Sequence, residues 1–151
     1  MVPAKSWSFC LVLLLSLILG PLPPATADTS PDAPLSGLTT LRWQHRIILV
    51  DGQQVPTAIE RLREAQAAID ERDVLWFVNH QGLLQSNYPG PLADTLATEL
   101  ELRYFSRSNA AVFLIGKDGG LKASDRSLDL PRLFELIDAM PMRRQEMEAA
   151  E

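Results

Sequence analysis

The sequence predicts an α/β fold: a mixed four-stranded sheet built from a strand–helix–strand unit, a second helix, a β-hairpin and a last helix. Three observations carry that expectation. Short β-branched and aromatic runs alternate with stretches whose apolar residues recur every three or four positions. A helical stretch separates the first two strand-like runs, and such a crossover makes them parallel. An Asp-Gly pair divides the last two strand-like runs, a strong hairpin signal.

Residues 1–27 read as an export signal rather than as part of the fold. Lys5 supplies a positive start, Phe9 to Leu19 is an apolar run, and Ala25-Thr26-Ala27 offers small residues for cleavage after Ala27. A membrane-spanning helix needs about 18 or more apolar residues, more than this run contains. Among the 151 residues the only cysteine is Cys10, which leaves with the signal. The mature chain is therefore expected to have no thiol, no disulfide and no lipid anchor. Loss of Lys5 makes the formal charge of −5 one unit more negative. Such an acidic chain is a poor partner for nucleic acid or anionic lipid. The expected location is periplasmic or extracellular, with no membrane attachment after cleavage.

Asp28 to Thr40 is rich in Pro, Ser, Thr and Asp, and reads as a flexible leader before a domain over residues 41–147 and a short tail over 148–151. Ile47 to Val50 is the first strand, bounded by Asp51-Gly52. Val55, Ala58, Ile59, Leu62, Ala65, Ala68 and Ile69 then share one helical face. Val74 to Val78, apolar on both sides, reads as an interior strand. Asn79 to Gly90 is expected to be a long loop, and Pro91 to open a helix reaching about Tyr104. Ala111 to Ile115 and Leu121 to Ser124 are the hairpin strands, joined through Asp118-Gly119 in a type I′ turn. The last helix starts at Pro131, and Pro141 ends or kinks it before at most one further turn. Met140, Met142 and Met147 are expected to pack on the core. This order is the thioredoxin core arrangement.

Three stretches also carry a family likeness: Trp43-Gln44-His45-Arg46, the segment Gly116 to Lys122 (GKDGGLK), and the segment Ile137 to Met147 (IDAMPMRRQEM). Across Leu41 to Met147 the chain resembles the domain-of-unknown-function 4174 family. The resemblance implies a fold similar to thioredoxins and peroxiredoxins, and a relation to domains of animal extracellular matrix proteins with sushi repeats. It implies no reaction. Redox members of the wider thioredoxin group carry Cys-x-x-Cys where the first strand meets the first helix. This chain has Asp51-Gly52-Gln53-Gln54 there, and Asn109-Ala110-Ala111 where those enzymes have a cis-proline. Without a thiolate, neither disulfide exchange nor cysteine peroxidase chemistry is open to it.

Topology sorts the polar residues to two edges of the sheet. One edge collects Asp51, Gln53, His80, Tyr88, Arg107 and Asn109. There His80 and Asp51 form a candidate general base and orienting carboxylate, unless His80 is simply a solvated loop residue. The opposite edge collects Arg46, Lys117, Asp118, Lys122, Asp138, Arg143 and Arg144. Those residues read either as a basic cluster for an acidic protein or small anion, or as architecture in which Arg46 or Arg143 pairs with Asp138 to fasten the last helix. His45 and His80 are too few for zinc, Gly116-Lys117 lacks phosphate-loop spacing, and no Gly-x-Ser-x-Gly occurs. No metal or cofactor is expected. A binding or interaction module is the leading expectation. The alternative is a thiol-independent enzyme using His80 and Asp51, or the Arg/Lys cluster, for acid–base or anion chemistry.

Overall fold

The computed structural model describes residues 33–150, so the expected signal segment lies outside the described residues. The chain forms β1 (Arg46–Asp51), α1 (Ala58–Glu64), α2 (Gln66–Asp70), β2 (Val74–His80) and β3 (Leu83–Ser86). It continues through α3 (Asp94–Arg103), β4 (Val112–Ile115), β5 (Leu121–Asp125), α4 (Leu130–Asp138) and α5 (Pro141–Ala149). The sheet order is β3-β2-β1-β4-β5. β1 and β2 are parallel, and the other neighbouring pairs are antiparallel.

Alternation along the central strands builds two cores, one on each face. Ile48, Val50, Trp76, Val78, Val112 and Leu114 meet α1, α2 and α4 through Leu62, Ile69, Leu133 and Ile137. Ile47, Leu49, Leu75, Phe77, Phe113 and Ile115 meet Leu96 and Leu100 of α3, together with Leu35, Leu38 and Leu41. Burial on both faces explains why these strands are near-continuously apolar in sequence.

The structure corrects the sequence expectation at several elements. The sheet has five strands, because the expected loop after β2 contains β3. Gln81 (φ 53°) and Gly82 (φ 84°) turn the chain in two residues, both with positive φ as a type I′ turn requires. The Asp118-Gly119 hairpin is present with a different turn. Among those residues only Gly119 has positive φ (78°), the Gly119 N–H donates to Gly116 O, and the Gly116 N–H donates to Gly120 O. The ladder then shifts register at Ile115, as a three-residue loop with a bulge does.

The helix expected over Val55 to Ile69 divides at Ala65 into α1 and α2. Nor does the leader run to Thr40. Leu35 and Leu38 are buried, and Leu35 exchanges backbone hydrogen bonds with Pro91 O and Ala93 N–H. That bridge pairs Leu35 with Leu92, Ala93 is extended, and α3 starts at Asp94 rather than at the proline. Pro141 ends α4 and opens α5, whose nine residues exceed the expected single turn. A first helical position needs no N–H, so proline serves there. Met140 packs against the core, whereas Met147 is exposed.

Candidate functional site

The edge where β1 starts is dominated by a two-part ion-pair network. Arg46, at the start of β1, is only 1 % exposed. Its Nη1 donates to Arg72 O at 2.8 Å, and its Nη2 donates to Glu146 Oε1 at 3.2 Å. Lys117 Nζ reaches the same Glu146 oxygen at 2.7 Å and Asp73 Oδ2 at 2.8 Å. In the second part, Asp138 accepts from Arg72 Nη2 at 2.6 Å and from Arg143 Nε at 3.3 Å. Arg143, itself buried, also donates to Glu71 O at 2.9 Å and Glu71 Oε1 at 2.7 Å. Arg72 lies over the Phe134 ring of α4, 4.9 Å from its centroid.

The network joins the start of β1, the link before β2, the β4–β5 turn and helices α4 and α5. Burial pushes the Glu146 and Asp138 carboxyls up in pKa. Hydrogen bonds from Arg46 and Lys117 to Glu146, and from Arg72 and Arg143 to Asp138, outweigh that effect and hold both below the usual range. The hydrogen bond from Lys117 holds Asp73 low as well. The cations are thus committed to protein carboxylates. Such a cluster behaves as a clasp, since removing one member leaves a poorly hydrated charge unpaired.

Of the seven residues singled out at this edge, Arg46, Lys117, Asp138 and Arg143 enter the network. Asp118 and Lys122 pair with each other at 2.7 Å on the exposed hairpin. Arg144 is exposed and makes no side-chain hydrogen bond among the described residues. Arg143 pairs with Asp138, while Arg46 pairs with Glu146 instead. Sequence reasoning missed Glu71, Arg72, Asp73 and Glu146. The first three lie in a charged run that reads as a solvated turn, and Glu146 in a segment read as a fraying end.

The other edge does not assemble the Asp51–His80 pair. Asp51 Oδ1 accepts from the Gln53 N–H at 2.9 Å, and Oδ2 from Gln54 Nε2 at 2.8 Å. The parallel register sets Asn79, not His80, opposite Asp51. His80 is exposed and makes no side-chain hydrogen bond among the described residues. Asn79 donates to Glu101 Oε2 at 3.2 Å, beside an open acidic hollow of about 470 Å³ that Asp51 and Asp94 also line. Because β3 runs back along β2, Asn87 bonds the Trp76 N–H and Val74 O. Tyr88 therefore leaves this edge and packs on the second core. No group of three or more potential metal-ligating side chains occurs among the described residues, and no helix among them is long and apolar enough to cross a membrane.

A cavity of about 330 Å³ lies between the β4–β5 turn, the segment before β1 and the end of α3. Arg42, His45, Arg103 and Tyr104 line it above a floor of Leu38, Ile47 and Ile115. Arg42 is fixed by donating from Nε and Nη2 to Asp118 O, at 3.1 and 2.8 Å. Burial pushes the Tyr104 hydroxyl up in pKa, so that phenol stays protonated at neutral pH.

Fold and geometry define a mixed α/β domain with a charge-clasped C-terminal helix and a cation-lined cavity beside its last hairpin. The chain belongs to the family described as domain of unknown function (DUF4174), whose model matches residues 37–146. No curated protein and no solved structure matches it.

Proposed function

We propose that this chain is an exported, thioredoxin-like binding module that works without a thiol, with its ligand site on the side of the β4–β5 turn. The cavity carries this reading: two of the motif stretches wall it, through His45 and through Gly116, Asp118, Gly119 and Gly120. A concave site with an apolar floor and a few convergent polar groups is the usual form of a small-molecule site. The thioredoxin-like reading is supported by the order β2-β1-β4-β5 that remains when β3 is set aside: a parallel pair followed by antiparallel neighbours. Export is supported by the three-part pattern of residues 1–27.

Screening the purified chain against a metabolite library by ligand-observed NMR, with turnover followed in the same samples, tests the binding reading. Saturable binding without conversion is expected. Conversion of any compound that Asp51→Ala or His80→Ala abolishes would replace the binding module with an enzyme. For export, mass spectrometry of the chain from an exporting host should give an N-terminus at Asp28. A product that retains residues 1–27 would overturn that part.

A further inference from the structure

We infer that the cavity beside the β4–β5 turn takes a small organic carboxylate with an apolar body about the size of one ring. The inference rests on the binding reading above and names its ligand class. Three residues with cationic or ionisable side chains line it from two parts of the chain: Arg42 and His45 before β1, and Arg103 at the end of α3. Arg42 is preorganised. Two of its nitrogens hold Asp118 O, and Nη1 has no protein acceptor among the described residues. The His45 ring also has no hydrogen-bond partner among the described residues.

Arg103 lies 5.8 Å from the Tyr104 ring centroid and, among the described residues, is tethered only by a 3.4 Å contact to Glu99, with over half of its side chain exposed. The acid that lines the cavity, Asp118, is neutralised by Lys122 Nζ at 2.7 Å and by the Gly120 N–H at 3.0 Å. Guanidinium groups match carboxylate oxygens in geometry as well as charge. Leu38, Ile47 and Ile115 give the head group an apolar neighbour. A volume near 330 Å³ is at the small end for ligand sites.

The test titrates the chain with 3-phenylpropionate, 3-phenylpropionamide and inorganic phosphate, and follows the Gly116, Gly119 and Gly120 amides by NMR. The acid is expected to give saturable shifts at these glycines, with the amide giving none and phosphate requiring higher concentrations. Arg103→Gln, an exposed change that preserves the rest of the spectrum, should weaken the acid about tenfold, the loss expected for one hydrogen bond to a charged group. Arg144→Gln, outside the cavity, should bind as the parent does. Equal shifts with the amide would remove the carboxylate, and equal affinity for phosphate would remove the apolar body. Absence of saturable shifts at the three glycines would overturn the site. A library compound that binds elsewhere, while 3-phenylpropionate gives none of these shifts, would leave a binding module standing but end both this assignment and the placing of its site beside the β4–β5 turn.

Discussion

Glu146 holds two cations at once, Arg46 and Lys117, through a single carboxylate on α5. Its folded pKa is depressed, as are those of Asp73 and Asp138. A depressed carboxylate adds stability above its unfolded pKa of about 4, and that stability is lost as pH falls through the lower folded value. The melting temperature should therefore hold from neutrality to about pH 5 and fall below about pH 4. Glu146→Gln should melt lower at neutral pH and show a shallower acid fall, as followed by calorimetry across that range. A parallel acid fall in both proteins would remove Glu146 from the clasp.

At the scale of elements, the β4–β5 turn and α5 depend on particular backbone and side-chain choices. Gly119 has positive φ (78°), and a Cβ built there would stand 2.9 Å from Arg42 Nε. Gly119→Ala should cost about 1–2 kcal/mol from the left-handed backbone alone, and displacement of Arg42 adds to it. Urea denaturation would read the change, and a variant as stable as the parent would contradict this account of the turn. The central strands were legible because burial on both faces leaves a β-branched run in the sequence. β3 was not, since Leu83 is exposed and the Gln81-Gly82 turn lacks the Asn or Asp that marks most two-residue hairpins. α5 was underestimated for a related reason: Arg143 faces inward and Glu146, one turn on, reaches the buried Arg46. A helix docked by charges shows no apolar stripe to read.

Across the whole molecule, the motif stretches meet at one edge, as topology alone implied, and there they separate into two tasks. Arg46, Lys117, Asp138 and Arg143 secure the frame, while the backbone of the turn and His45 border a cavity. Convergence was legible in the sequence because strand direction fixes which ends share an edge. The pairings were not, because ion pairs between distant segments leave no periodicity. The cavity was hidden too, since Arg42, Arg103 and Tyr104 come together only through packing. Chemistry at this scale is bounded by the single cysteine, Cys10. The chain from Asp28 onward should show no insulin-reducing activity with dithiothreitol, and any turnover above the reductant blank would contradict the thiol-free account.

The most direct test of the clasp is the stability of Arg143→Ala, measured by thermal and urea denaturation at neutral pH. The side chain is 8 % exposed and holds both Glu71 and Asp138. Its loss is expected to cost about 1–3 kcal/mol and several degrees in melting temperature, with carboxylate binding retained once folded. A variant that melts with the parent and loses only ligand binding would make these charges a recognition surface instead of a frame.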